Sequence, residues 1–135
     1  MSGPAAAGGA GQEFGCAACW PAEAEAAAEA RRALKHAAEL LDESHLGISL
    51  RDCPRCGQRF VSVFVEEVDW VDGDDPQYWT LLPLTAAEAA DLLRDGPPAV
   101  VERLDGLAPG RRSLRIDHPK GTPPRIYWGS GVSAR

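Results

Sequence analysis

From Pro21 to about Glu43 the chain reads PAEAEAAAEARRALKHAAELLDE, and Ala27, Ala30, Leu34, Ala37, Ala38 and Leu41 fall on one narrow apolar face at helical spacing. The segment consists mostly of strong helix formers. Pro21 suits a first helical position, and the glutamates that follow favour the positive end of a helix dipole. This pattern predicts a long N-terminal helix, with Gly47 as its terminator. The period then changes. In RFVSVFVEEVDWV, valine and aromatic side chains alternate with polar ones, which predicts a strand over 59–71. The turn-like DGDDP leads into QYWTLLPL, so a second strand over 77–82 should close a β-hairpin. Thr85 and Glu88 have capping-box spacing ahead of a short second helix over about 86–94. Two shorter apolar runs predict strands near 112–116 and 124–128. The expected fold class is α+β: a long N-terminal helix and a short second helix with a small antiparallel β-sheet.

At 135 residues and 44% hydrophobic composition, the chain suits one domain with one modest core. The Gly/Ala-rich residues 1–13 and the closing SGVSAR, 130–135, read as flexible tails around a single domain over 14–129, and no internal repeat appears. No run approaches the about 18 apolar residues of a membrane span. The N-terminus also lacks the basic start and compact apolar stretch of an export signal, so a cytoplasmic protein is expected. Arginine outnumbers lysine 12 to 2, a bias of GC-rich bacterial genomes without mechanistic content.

All four cysteines stand in two pairs, Cys16-Ala-Ala-Cys19 and Cys53-Pro-Arg-Cys56, with 33 residues between the pairs. A Cys-x-x-Cys turn lets two thiolates reach one tetrahedral metal, and a second pair completes the ligand set. Soft thiolates in closed geometry favour zinc, with iron as the competitor. In CPRCGQ a proline follows the first cysteine and a glycine the second, where glycine accepts the unusual backbone angles of the turn. This stretch resembles the knuckle of zinc ribbons. The first pair, CAACWPAEAE, has no glycine after Cys19 and runs towards the predicted helix, so the whole looks like a treble clef with its helix moved ahead of its hairpin. The resemblance implies one structural Zn2+ held by Cys16, Cys19, Cys53 and Cys56, pinning the helix to the hairpin. Two other uses of the cysteines compete: a redox dithiol, and structural disulfides, which are disfavoured without an export signal. A partial match of GCAACW to the papain-type nucleophile signature would leave Cys53 and Cys56 unexplained.

Histidines add little to that set. His45, four residues after Leu41 on the predicted helix face, is a candidate replacement ligand; His36 reads as solvent-facing, and His118 as a turn residue. The acidic stretch EEVDWVDGDDP lacks oxygen ligands where an EF-hand spacing needs them, at Val71 and Pro76, and is expected to be a solvated hairpin tip. Among the large aromatics, Trp70 and Trp79 are expected to pack across the hairpin. No P-loop, dinucleotide fingerprint, His-Glu-x-x-His or nucleophile-elbow motif occurs.

The net charge of −6 argues against a dedicated DNA binder, but it is unevenly distributed. Residues 111–135 carry 6 basic and 1 acidic side chains, on an otherwise acidic chain. Arg111, Arg112, Arg115, Lys120 and Arg125, interleaved with Tyr127 and Trp128, form a candidate partner or nucleic-acid surface, since basic side chains with stackable rings suit single strands. The same segment could instead dock on the acidic remainder of the protein. The leading expectation is a small non-enzymatic zinc-binding protein, an adaptor that engages a protein partner, with no catalytic residue, membrane or small-molecule substrate assigned. A nucleic-acid-associated regulator and a Cys-x-x-Cys redox protein are the alternatives.

Overall fold

The computed structural model describes residues 14–68, 70–71 and 75–132. The tail expected at 1–13 and residues 133–135 of the tail expected at 130–135 lie outside the described residues, as do Asp69 and residues 72–74 of the acidic hairpin connection; Ser130 closes the last strand and Val132 is buried in the core, so residues 130–132 belong to the folded domain.

Six strands form one antiparallel sheet in which every strand lies beside its sequence neighbours, in the order β1 to β6. The strands are β1 (Lys35–Glu43), β2 (Leu46–Asp52), β3 (Arg59–Glu66), β4 (Gln77–Leu84), β5 (Arg112–His118) and β6 (Arg125–Ser130). Helix α1 (Ala24–Ala30), extended by one 3₁₀ turn at Arg31–Ala33, precedes the sheet. Helices α2 (Ala86–Asp95) and α3 (Ala99–Asp105) connect β4 to β5.

Alternation along the strands gives the sheet two apolar faces. Ile48, Leu50, Val61, Val63, Leu82 and Leu84 point to one face, where Ala89 and Leu92 of α2 and Val100 and Leu104 of α3 cover them. Phe60, Leu81, Leu114 and Ile116 point to the other, where Ala27, Ala28 and Leu34 cover them together with Cys19 and Cys53. The expected hairpin 59–71/77–82 is present as β3 and β4, with Val61 opposite Leu82 and Phe64 opposite Trp79. Helix α2 begins at its capping box: the Glu88 N–H donates to Thr85 Oγ1, and the Thr85 N–H donates to Glu88 Oε1.

The architecture differs from a long helix with a small sheet. Helix α1 spans only 7 residues, and LKHAAELLDE leaves it at Leu34 to become an edge strand. Helix propensity separates ordinary residues by at most about 0.7 kcal/mol each, and pairing with β2 outweighs it. Register shifts between His36 and Ala38 and between Glu39 and Leu41 erase the period of two, so consecutive Leu40 and Leu41 both reach the first core cluster. Gly47 terminates no helix. It pairs with Asp42 beside the two-residue turn Ser44–His45. Charged and exposed side chains on β1, among them Lys35, Glu39, Asp42 and Glu43, protect this edge from further strand pairing.

Candidate metal centre

Two tight turns build the site, one ahead of α1 and one between β2 and β3. In the first, the backbone N–H groups of Cys19 and Trp20 both donate to the Cys16 carbonyl, at 3.2 and 2.8 Å, folding Cys16 and Cys19 onto one side. Gly15 starts this turn at φ +72°, and a Cβ there would stand 2.8 Å from Trp20 Cβ and 2.9 Å from Cys19 Sγ. The glycine missing after Cys19 is thus supplied ahead of Cys16. The turn is a separate unit, four residues before α1, and not the start of the helix itself.

The second turn caps the β2–β3 hairpin. The Cys53 N–H donates to the Gln58 carbonyl at 2.9 Å, the Gly57 N–H returns to the Cys53 carbonyl at 3.0 Å, and Gly57 takes φ +80°. The Arg55 N–H points at Cys53 Sγ at 3.3 Å, as the Cys16 N–H does at Cys19 Sγ. Such N–H groups favour sulfur in its thiolate form.

These turns bring all four Sγ atoms within 4.8 Å of one another. Cys16 to Cys19 measures 3.8 Å, Cys16 to Cys53 3.9 Å and Cys19 to Cys56 3.8 Å; no pair is disulfide-bonded. Zinc–sulfur bonds of about 2.3 Å in tetrahedral arrangement separate neighbouring sulfurs by about 3.8 Å, so the measured edges fit one such ion. The Cys19 N–H holds the Cys16 thiol down to about 7, whereas burial pushes that of Cys19 up and burial likewise raises Cys56. Several thiolates this close repel one another, and a divalent cation removes that repulsion.

Gln58 joins the two turns. Its Oε1 accepts from the Gly15 N–H at 2.9 Å, while Nε2 donates to the carbonyls of Arg59 and Leu84 at 2.7 and 2.8 Å. Trp20 lies 5.4 Å from Phe60 and edge-on to Trp128 at 4.9 Å, and Trp128 Nε1 donates to the Ala22 carbonyl at 2.9 Å. Sequence reasoning missed both supports. Gly15 adjoins Cys16 and Gln58 follows Cys56 by two residues, and that proximity to the Cys-x-x-Cys motifs was the available signal.

The other singled-out residues are spread over the molecule. His45 sits in the β1–β2 turn with Nδ1 3.4 Å from Glu66 Oε1, the whole length of β2 away from Cys53, and takes no part in the cluster. His36 is exposed beside Glu39, and His118 ends β5 edge-on to Trp79. Trp70 does not pack on Trp79: it is 90% exposed in the hairpin connection, while Trp79 pairs with Phe64 at 5.0 Å. In the basic segment, Arg111 forms a double hydrogen bond with Glu88, donates to the Pro83 carbonyl and covers the Phe14 ring. Arg112 lies over Trp128 at 3.8 Å and Trp20 at 5.3 Å, and Arg125 over Tyr127 at 4.4 Å. Arg115 donates to Ser113 and to the Ser130 and Gly131 carbonyls; the Tyr127 hydroxyl donates to Asp117. Lys120 is exposed in the β5–β6 connection.

Among the described residues, no helix is long and apolar enough to cross a membrane. No protein-family model, curated protein or solved structure matches the chain, so of the expected zinc-ribbon or treble-clef resemblance only the four-cysteine cluster is supported.

Proposed function

We propose that the chain is a zinc-binding protein in which Cys16, Cys19, Cys53 and Cys56 hold one structural Zn2+, and that it acts as a non-enzymatic protein-interaction module. The observation that carries the metal assignment is the gathering of four sulfurs within 4.8 Å of one another, with three of their separations at 3.8–3.9 Å, near the edge length of a zinc tetrathiolate. A four-sulfur shell leaves no coordination position for water or substrate, which favours a structural over a catalytic ion. Support for an interaction role comes from Trp70 and Val71, 90% and 89% exposed beside the acidic hairpin connection, because an aromatic side chain framed by charge is a common interface anchor. Nucleic-acid binding by residues 111–128 has less support, since Arg111, Arg112, Arg115 and Arg125 are all engaged within the protein.

Native mass spectrometry of protein purified without added metal, paired with thiol counting before and after chelation, tests the metal assignment. One zinc per chain, with four thiols reactive only after chelation, is the expected result. A metal-free chain with a Cys16–Cys19 disulfide would overturn it in favour of thiol redox chemistry. For the interaction role, Trp70→Ala should abolish recovery of a specific protein partner while Arg112→Glu should not. Loss only with Arg112→Glu, together with salt-sensitive binding of single-stranded nucleic acid, would shift the assignment to residues 111–128.

A further inference from the structure

On the second face of the sheet, beyond the reach of α1, the polar alternate positions of β2 face a recess instead of a helix. In LGISLRD, Ile48 and Leu50 enter the first core cluster, which sends Gly47, Ser49 and Arg51 to the opposite side. There they line a recess of about 150 Å³ together with Arg31 from the 3₁₀ turn, Ser62 of β3 and the Phe64–Trp79 ring pair. Two guanidinium groups therefore share one small concavity.

Neither has a carboxylate partner among the described residues. Arg31 Nε is fully buried without any hydrogen-bond acceptor, and the Arg31 guanidinium lies 5.8 Å from the Trp79 ring centroid. Arg51 Nε donates only to the Ser49 hydroxyl, at 3.1 Å. The one carboxylate at the rim, Glu39, is half-exposed and bonded to His36. Burial, reinforced by the charges of Arg32 and Arg51, disfavours the cationic form of Arg31. A buried donor without a partner and two unneutralised like charges are both costly, and an oxyanion would relieve both.

We infer that this recess binds a small oxyanion, a carboxylate or phosphate group with a benzene-sized apolar body, the anion held by Arg31, Arg51 and the serine hydroxyls and the body against Phe64 and Trp79. Guanidinium groups match both anions bidentately. A cavity of about 150 Å³ accepts a benzene ring but not a nucleotide. The inference stands on side chains outside the cysteine cluster and is independent of which metal that cluster holds.

The test is titration of the full chain, as purified, with benzoate, phenyl phosphate, acetate and inorganic phosphate, read by 1H–15N chemical shifts. Saturable binding of benzoate or phenyl phosphate is expected, tighter than that of acetate or inorganic phosphate, with shifts centred on Gly47–Arg51, Ser62, Phe64 and the Trp79 indole. The stronger ligand of the first two identifies the anion. Arg51→Gln should weaken binding at least tenfold, whereas Arg32→Gln, at an exposed position paired with Glu29, should leave it unchanged. Ser62→Ala, with a smaller expected loss, provides a second variant should Arg51→Gln fold poorly. Absence of saturable binding up to about 10 mM, or shifts elsewhere on the molecule, or affinity insensitive to both variants would overturn the inference.

Discussion

Replacing Gln58 by methionine removes a side chain that ties the first cysteine turn to the β3–β4 pair while keeping its length and volume. Three hydrogen bonds disappear, and they divide into two kinds. The two from Nε2, to the carbonyls of Arg59 and Leu84, lie within the β3–β4 pair and persist whether or not a metal is bound. Their loss lowers folding stability in either state, by about 0.5–1.5 kcal/mol each. The bond from the Gly15 N–H to Oε1 exists only when the N-terminal turn is docked, the arrangement that a bound metal would hold closed. A donor left partnerless at a half-buried position costs about 1–3 kcal/mol. Zinc affinity should therefore fall about 5- to 150-fold.

Competition with a chromophoric chelator at neutral pH measures the affinity, and a thermal melt of the metal-free variant separately measures the Nε2 contribution. Gln58→Glu sharpens the comparison: it keeps an acceptor for Gly15 but sets a carboxylate against two carbonyl oxygens. It should destabilise the β3–β4 pair more than Gln58→Met while weakening zinc binding less. If Gln58→Met melts lower yet binds zinc within twofold of the unaltered protein, Gln58 supports the sheet alone and the coupling argued here is wrong.

Gly15→Ala should weaken metal binding more than Gly57→Ala, as a chelator competition will read. Both positions have positive φ, costing about 1–2 kcal/mol for a side chain, but only at Gly15 does the added Cβ also meet Trp20 and Cys19, whereas nothing lies within 4 Å of it at Gly57. Leu92→Ala, at a fully buried position on the core side of α2, should cost about 2–5 kcal/mol in a denaturant titration while leaving metal stoichiometry unchanged. Burial raises the Glu88 carboxyl, but the Arg111 hydrogen bonds and the Thr85 N–H outweigh it, leaving its pKa below the usual value. The stability gained from this pair is complete above the ordinary glutamate range and lost as pH falls through the lowered folded value. Melting temperatures from pH 7 to 3 should therefore show a smaller acid loss in Glu88→Gln than in the unaltered protein.

Elements whose local signals agreed with their surroundings were legible from the residues. The β3–β4 hairpin carries β-branched and aromatic side chains, α2 carries its capping box, and the two Cys-x-x-Cys pairs announce a shared site that the fold assembles. The first half of the chain was misread because its local preference and its tertiary role conflict. Alanine, leucine, glutamate and lysine in LKHAAELLDE favour a helix, yet the segment completes a sheet edge, and two register shifts remove the alternation that would have exposed it. Strand β2 was hidden for a related reason: with Gly47 assigned to helix termination, Ile48 and Leu50 had no partner strand. Trp70 was misplaced by continuing the strand pattern past Glu66, where β3 ends and the chain leaves the sheet.

The two faces of the sheet are closed by different means, and the four sulfurs gather where the cover is thinnest. On the first face, α2 and α3 supply Leu92, Val100 and Leu104, and among the described residues the buried members of that cluster begin at Leu40, with Ala38 packed against them. On the second, the covering element is a helix of 7 residues that presents alanines. A helix so short has little stability of its own, well below the about 12–15 residues an isolated one needs. Its position depends on its tethers. At one end are the four sulfurs and Gln58; along its approach are the Trp128 bond to Ala22 and Arg112 lying over the Trp20 and Trp128 rings. A structural zinc site is worth on the order of 10 kcal/mol, comparable with the whole net stability of a domain this size, and here it would act where apolar cover is thinnest. Past Leu34 the cover stops altogether, because the chain turns away to form the sheet edge. Arg31, at that boundary, is left half-buried with an unpaired nitrogen beside an open concavity, so the same short helix that is held at the four sulfurs also borders the arginine-lined recess.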